Sequence, residues 1–139
     1  GTTLKTFTKN INIGEKEKAL INEGFKNLGN FNDDINKKNI AVNNASSFFK
    51  EKAAEHPQYE LISIINKDGI MVSANDNTNI GNDFTYRPYF KMALQGKEYF
   101  TESYISNTTF NYCITISKPF KDIKGNITGV IMADICIEN

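Results

Sequence analysis

Apolar residues recur every three or four positions through the first third of the chain, which is the spacing of one face of an α-helix. The spacing is clearest at Leu28, Phe31 and Ile35, and residues 4–11 show it further upstream. The pattern stops at His56-Pro57, where proline ends a helix. Because the apolar stripe is narrow, the helical segment must lie against a sheet, a partner helix, or both.

Glycines at positions 14, 24 and 29 interrupt this helical pattern. Glycine is a poor helix former, so we expect a kink or a break in this part of the segment. Further along, Asn32 or Asp33 is a candidate N-cap for a second helix.

From Tyr59 onward the pattern becomes that of β-strands. A largely β-branched run at 61–65 is followed by Lys67-Asp68-Gly69, which is a hairpin turn signal. The returning strand is predicted at residues 70–74. Three further strands are predicted at 99–106, 111–120 and 127–137.

Between the first two strands and the last three, residues 75–84 are rich in Asn, Asp and Gly, which predicts a loop. Pro88 favours the first turn of a short helix, and Gly96 ends it. This order predicts an α+β fold with a five-stranded antiparallel sheet, helices on one face, and a loop and short helix covering the other. We expect one domain overall, with a helical segment at 1–57 and the sheet core at 58–139.

Composition places the chain among ordinary globular proteins. Its 139 residues suffice for one domain, and 40% are hydrophobic and 23% charged. The 16 basic and 16 acidic residues cancel, which argues against nucleic-acid binding, because that function usually needs a basic face. No apolar run is long enough to cross a bilayer, and the chain begins at Gly1 without a leader. We therefore expect either a soluble mature protein or a piece of a larger one.

The chain offers little catalytic or metal chemistry. His56 is its only histidine, so we expect neither an enzyme nor a metal or other cofactor. Cys113 and Cys136 fit neither a zinc site nor a CxxC redox pair. If the second hairpin is centred near Lys124–Gly125, the two cysteines oppose each other on neighbouring strands. A disulfide is one alternative there, but opposed pairs are often strained, and two free buried thiols are the preferred interpretation.

Three segments, taken in order, resemble the Cache family. They are Lys67-Asp68-Gly69, the run from Arg87 to Ala93, and the run from Gly129 to Ile135. The resemblance covers residues 59–137 and implies a PAS-like fold of the single-Cache type, as found in chemoreceptors, sensor histidine kinases and diguanylate cyclases. It further implies an extracytoplasmic location, a homodimer formed through the N-terminal helices, and flanking transmembrane segments that are absent from this chain.

Members of this family that sense amino acids share a longer pattern. Arg87 and Tyr89 fall where that pattern has the Arg and Trp that hold the ligand carboxylate, and Asp134 falls on its last Asp. Two residues depart from it: Asn82 replaces a Tyr, and Ser106 replaces the Asp that helps to hold the ligand ammonium. The resemblance therefore implies a small carboxylate as the better ligand, and an amino acid remains open.

The residues themselves point to the same pocket. An Arg beside a helix N-terminus is unfavourable for the helix but suited to an anion, although Arg87 could instead pair with Asp83. Asp134 lies in an apolar strand, so it needs a partner, which is either structural or a ligand group. Tyr86 and Tyr112 have an equally good interpretation as half-buried aromatics. The predicted ligand-binding residues are Arg87, Tyr89, Asp134, Thr101, Ser103, Tyr104, Ser106, Tyr86, Tyr112 and Thr115.

These observations predict the extracytoplasmic ligand-binding domain of a transmembrane signalling receptor, such as a chemoreceptor or a sensor kinase. The expected ligand is a small organic molecule, preferably a carboxylate. Amino-acid sensing by the same pocket and a ligand-free domain for dimerisation or protein interaction are the alternatives.

Overall fold

Two helices precede the sheet in the computed structural model, which describes residues 14–101, 103–105 and 110–137. Helix α1 spans Glu15–Lys37 and helix α2 spans Ser46–Glu55, with a turn of 3-10 helix at Val42–Asn44 between them. The helical pattern predicted for residues 4–11 lies outside the described residues. No helix in the described part of the chain is both long enough and apolar enough to span a bilayer.

Among the described residues, the chain that follows these helices forms a six-stranded antiparallel sheet. The strands are β1 (Tyr59–Asn66), β2 (Met71–Ala74), β3 (Tyr99–Phe100), β4 (Tyr104–Ile105), β5 (Tyr112–Lys121) and β6 (Ile127–Ile137). They follow the spatial order β2-β1-β6-β5-β3, and β4 also pairs with β5. The predicted strand at 99–106 is divided into β3 and β4, which is why the sheet has six strands and not five. Helix α3 spans Pro88–Leu94, and a second 3-10 turn lies at Asn77–Asn79.

Helix α1 continues through Gly24 and Gly29, so a break at these two glycines is wrong, whereas Gly14 is the N-cap at which the helix begins. Its buried stripe includes Gly24, where an added Cβ would lie 2.3 Å from Ile135 Cδ1 and 2.5 Å from Ile116 Cδ1. Gly24 thus allows the helix to lie close to the sheet, and this packing offsets its low helix propensity. The helices separate instead over residues 38–45.

The predicted N-cap at Asn32 or Asp33 is also wrong, because both residues lie inside α1. Asn32 has a different use. Its Oδ1 accepts a hydrogen bond from the backbone N–H of Lys121 at 2.8 Å, and Asn36 Nδ2 donates to the Lys121 carbonyl at 2.7 Å. Two side chains of the helix therefore fix the end of β5.

The sheet separates two apolar clusters. On one face, Ile114, Ile116 and Ile135 pack with α1 and α2. On the other face, Met132 and Val130 pack with α3 and the segment before it. Helices on one face and a loop with a short helix on the other confirm the predicted α+β arrangement.

The segment between β2 and α3 is held to the sheet by backbone hydrogen bonds. The N–H of Gly81 donates to the Met71 carbonyl at 2.8 Å, and the N–H of Phe84 donates to the Gly69 carbonyl at 2.7 Å. Ser117 Oγ donates to the carbonyl of Tyr89 at 2.8 Å, which fixes the start of α3 over β5. This cover is therefore built from ordered backbone.

Cys113 and Cys136 form a disulfide, so the preference for two free thiols is wrong. The residues are directly opposed on β5 and β6, as the predicted hairpin centre implied. Their Cα atoms are 4.0 Å apart, and the strand pleat directs both side chains to the same face, which brings the sulfurs together.

Candidate ligand-binding site

A cavity of about 440 Å³ lies between the sheet and the cover formed by α3 and the preceding segment. Its volume falls within the range of small-molecule sites in proteins. Six of the residues predicted to bind a ligand meet here. The cavity is lined by Leu61, Asn79, Phe84, Arg87, Tyr89, Thr101, Tyr104, Thr115, Met132 and Asp134.

The two central strands place their polar side chains by alternation. Thr115 on β5 is directly opposed to Asp134 on β6, and Ser117 is opposed to Met132. Since successive side chains of a strand point to opposite faces, these residues lie on the cavity side while their neighbours face α1. The site is therefore built on the most extensively paired part of the sheet.

A chain of hydrogen bonds links three of these side chains. Thr115 Oγ1 donates to Asp134 Oδ1 at 2.7 Å, and the Tyr104 hydroxyl lies 3.1 Å from Thr115 Oγ1. Thr101 fixes the same residue, because its Oγ1 accepts from the Thr115 N–H at 3.0 Å.

The Asp134 carboxyl is electrostatically costly in this position. Burial raises its pKa, and the negative charge of Glu60 acts in the same direction. Hydrogen bonds from Thr115 and Tyr104, together with the positive charge of Arg87, lower the pKa but do not reverse the shift. A cationic ligand group placed here would relieve the cost of the ionised carboxylate.

The two tyrosines of the cavity remain protonated donors at physiological pH. Burial raises the pKa of Tyr104 to about 12, and the nearby Asp134 charge contributes to this shift. Burial also raises the pKa of Tyr89 well above its ordinary value, with Asp134 again contributing. Both hydroxyls can therefore donate to a ligand carboxylate.

Arg87 reaches the cavity from its rim. It precedes Pro88 as the N-cap of α3, and its guanidinium carbon lies 4.9 Å from the ring centre of Tyr86. The alternative ion pair with Asp83 is not formed between these two described residues. The Asp83 Oδ1 accepts instead from the Thr85 N–H at 2.8 Å and from the Thr85 hydroxyl at 2.7 Å. Within the part of the chain that the structure describes, Arg87 has no carboxylate within ion-pair distance.

Three of the predicted residues that the structure describes do not line this cavity. Tyr86 is 61% exposed and supports Arg87 from outside. Ser103 and Tyr112 line a separate cavity of about 270 Å³ beside α1. Tyr112 lies two residues before Ile114, so alternation directs it to the helix side. Ser106 lies outside the described residues.

Four residues of the cavity were not predicted from the sequence: Leu61, Asn79, Phe84 and Met132. Strand alternation could have identified two of them, because Leu61 is paired with Asp134 and Met132 precedes Asp134 by two positions. Asn79 and Phe84 lie in the irregular cover and gave no such signal.

A second cavity of about 430 Å³ adjoins the first and shares Leu61, Asn79, Tyr104 and Asp134 with it. It extends along the sheet to the disulfide. Its remaining lining residues are Glu60, Asp76, Thr78, Ile105, Cys113 and Cys136.

Residues 22–139 match the family described as methyl-accepting chemotaxis protein-like, first PDC sensor domain. This match covers most of the chain. It includes β1 to β6, α3, and all residues that line the two adjoining cavities.

Solved sensor domains have a similar fold. The ligand-binding domain of the Pseudomonas aeruginosa PAO1 amino acid chemoreceptor PctC, in complex with GABA, is 15% identical with a TM-score of 0.69, over 97% of this chain and 58% of that one. The Pseudomonas fluorescens chemoreceptor CtaA domain, in complex with L-serine, is 22% identical with a TM-score of 0.63, over 83% and 50%. The Vibrio cholerae histidine kinase DctB sensor domain is 18% identical with a TM-score of 0.57, over 86% and 57%. At these identities the likeness establishes the fold alone.

A curated relative carries the name of an enzyme. Citrate (Re)-synthase of Syntrophus aciditrophicus (strain SB) is 28% identical over 96 residues, which are 61% of this chain and 15% of that protein. The chain thus spans a small part of this relative and about half the length of the solved sensor domains.

Proposed function

The chain belongs to the family of methyl-accepting chemotaxis protein-like first PDC sensor domains, and on that premise we propose that it is the extracytoplasmic ligand-binding domain of a transmembrane signalling receptor. The receptor is a chemoreceptor or a sensor kinase, anchored by membrane-spanning segments outside this chain. The domain itself binds a ligand and does not catalyse a reaction.

The proposed ligand is a small organic molecule with a carboxylate group. The observation that carries this proposal is Arg87, whose side chain lines the cavity without a carboxylate partner among the described residues. A guanidinium can donate two parallel hydrogen bonds to one carboxylate. The protonated hydroxyls of Tyr89 and Tyr104 line the same cavity and supply further donors.

Asp134 favours a second candidate, a ligand that also carries an amine. A partly buried carboxylate with a raised pKa gains from an ammonium partner. The chemoreceptor domains named above bind L-serine and GABA, which have both groups. Ser106 weakens this candidate, because it supplies no second charge where the resemblance implies an Asp.

The proposed signal is a change in the position of α1 relative to the sheet. Ligand binding can drive such a change only if the ligand has different affinities for two arrangements of the domain. Pairing of α1 with the same helix of a second copy would carry the change through a homodimer.

Isothermal titration of the 139-residue chain with matched ligand pairs tests the proposal. Propionate and alanine, and butyrate and GABA, differ within each pair by the amine. Arg87→Ala should weaken the best ligand roughly 10- to 100-fold, which is the loss of a charge-assisted hydrogen-bond pair. Lys91→Ala is the matched control, because Lys91 is an exposed cation on the same helix that does not line the cavity.

The two ligand classes are separated by Asp134→Asn. If the amine is recognised, this variant should lose most of its affinity for the amino compound and keep its affinity for the carboxylate within about twofold. Absence of binding by every tested carboxylate and amino acid, or equal affinities for wild type and Arg87→Ala, would contradict the proposal.

A further inference from the structure

The disulfide occupies the position next to the Thr115–Asp134 pair along the same two strands. Cys113 precedes Thr115 by two residues, and Cys136 follows Asp134 by two, so all four side chains lie on one face of the sheet. Both cysteines line the cavity of about 430 Å³, which gives small solutes a route to the sulfurs.

Glu60 reaches the same place because of an irregularity in β1. Tyr59 pairs with Ile135 and Leu61 with Asp134, so Glu60 is an extra residue in the pairing of β1 with β6. Such a bulge redirects side chains, and Glu60 lines the cavity together with Leu61 while Tyr59 is buried on the helix side. Glu60 Oε2 lies 4.0 Å from Cys113 Sγ.

We propose that, after reduction of the disulfide, Cys113, Cys136 and Glu60 together bind one thiophilic divalent metal ion, for which Zn²⁺ is the natural probe. One carboxylate oxygen and the two sulfurs all lie within 4.8 Å of one another. Tetrahedral Zn²⁺ with Zn–S bonds of about 2.3 Å requires sulfur atoms about 3.7 Å apart, which fits this span once the S–S bond is broken. The inference does not depend on the identity of the proposed ligand.

Reduction of the disulfide precedes metal binding. Two molecules of an external thiol supply two electrons and two protons; the S–S bond of the protein breaks, two cysteine thiols form, and the external thiols become a disulfide. Metal binding then displaces the two thiol protons to solvent, because the thiolate is the ligand. Because all three residues line the cavity, a water molecule from the cavity would supply the fourth ligand.

The acidic side chains around the reduced cysteine pair favour binding of a cation there. Asp76 and Asp134 line the same cavity and add negative charge to that of Glu60. An ion held here would also lie beside the Asp134 carboxylate that the proposed ligand site uses, since both cavities share that residue. Redox state and metal would therefore alter recognition of an amine at Asp134.

Anaerobic titration of the reduced chain with Co²⁺ and then Zn²⁺ tests the inference. A phosphine reductant is used and removed, and circular dichroism and thermal unfolding confirm that the reduced chain is folded. We expect one equivalent of Co²⁺ to bind with a sulfur-to-cobalt charge-transfer absorption that Zn²⁺ abolishes. The oxidised chain and the variant with both Cys113→Ser and Cys136→Ser should show no such absorption.

Two variants distinguish direct metal ligation by Glu60 from the general effect of negative charge in the cavity. Glu60→Gln should lower Zn²⁺ affinity at least tenfold, whereas Asp76→Asn, which removes a charge of the same cavity, should change it less than threefold. The inference is overturned if the reduced wild type binds Zn²⁺ no more tightly than the double serine variant, or if reduction abolishes cooperative unfolding. If the Zn²⁺ affinity of Glu60→Gln equals that of wild type, Glu60 is not a ligand, and the proposed three-residue site is wrong.

Discussion

Asp134 makes the stability of the domain depend on pH in the direction opposite to that of most surface carboxylates. Burial raises its pKa in the folded state, whereas in the unfolded chain the pKa is near 3.9. Between these two values the folded state binds more protons. The contribution of this group to the free energy of unfolding therefore falls as pH rises through that window, and it is fully lost above the folded-state pKa.

We predict that Asp134→Asn raises or preserves the melting temperature at pH 7 and flattens its dependence on pH above pH 4. The amide keeps an acceptor for Thr115 Oγ1 but carries no charge to desolvate. Calorimetric melting from pH 4 to pH 8 measures the effect. A melting temperature more than about 3 °C below that of wild type at pH 7 would show that the ionised carboxylate stabilises the fold.

Asp122 serves as a control, because its pKa shift and its effect on the pH dependence of stability have the opposite sign to those of Asp134. Hydrogen bonds, first of all from the Asn126 N–H, lower its pKa in the folded state. Its contribution to stability is therefore present above the unfolded-state pKa and is lost as pH falls through the lower folded-state value. Asp122→Asn should lower the melting temperature slightly at pH 7 and have no effect at low pH.

Single residues of the site were predictable to different degrees. Asp134 stands out because a charged residue in an apolar strand needs a partner, and Arg87 because it precedes a helix start. Tyr112 has the same aromatic character as Tyr104 but the opposite position in its strand pattern, so its residue type alone was misleading. The position of Asn79 in the cavity depends on the path of an irregular segment, which the local sequence does not determine.

Within α1, two glycines of the same helix serve different purposes. At Gly24 an added Cβ would collide with two buried isoleucine side chains, whereas at Gly29 the nearest atom is Lys118 Nζ at 3.5 Å. In the sequence, both glycines interrupt the helical pattern to the same extent. Only the packing partner on the sheet distinguishes a close approach from an ordinary helical position, and this is why the predicted break did not occur.

We predict opposite effects for the two alanine substitutions. Gly24→Ala should reduce the free energy of unfolding by about 1–2 kcal/mol, because overpacking exceeds the gain in helix propensity. Gly29→Ala should increase it by up to about 1 kcal/mol. Urea unfolding of both variants measures the difference, and equal effects would contradict the close approach at Gly24.

For the molecule as a whole, the disulfide joins the two central strands at the end of the sheet away from their hairpin turn. It closes a loop with a sequence separation of 23 residues. Restriction of the unfolded chain by a loop of this size is worth about 3 kcal/mol. Typical domains have about 5–15 kcal/mol of stability, so the reduced domain should remain folded.

We therefore predict that reduction lowers the free energy of unfolding by about 3 kcal/mol without loss of secondary structure. Urea unfolding with and without a phosphine reductant measures the change. The variant with serine at positions 113 and 136 should match the reduced wild type and should not respond to the reductant. A change below about 0.5 kcal/mol would mean that the bond adds little to the stability of the fold.

The architecture was predictable as an α+β fold because the spacing of apolar residues changes from helical to strand-like near Tyr59, with one short helix predicted between the later strands. The neighbours of each strand were not predictable in the same way. The last strand, β6, lies between β1 and β5, and pairing between distant strands depends on interactions that no local pattern contains. The division of the predicted strand at 99–106 has the same origin.

The alternation of side chains on β5 and β6 also bears on how such a domain can evolve. Odd-numbered positions such as Thr115 on β5 and even-numbered positions such as Asp134 on β6 face the cavity, whereas Ile116 and Ile135 face α1. Point substitutions can therefore change the lining of the proposed ligand site while the contact with α1 is inherited intact. A one-residue insertion or deletion within either strand would exchange the two sets at once. Lineages that diverge in ligand should therefore vary at alternate positions of these strands and conserve their length.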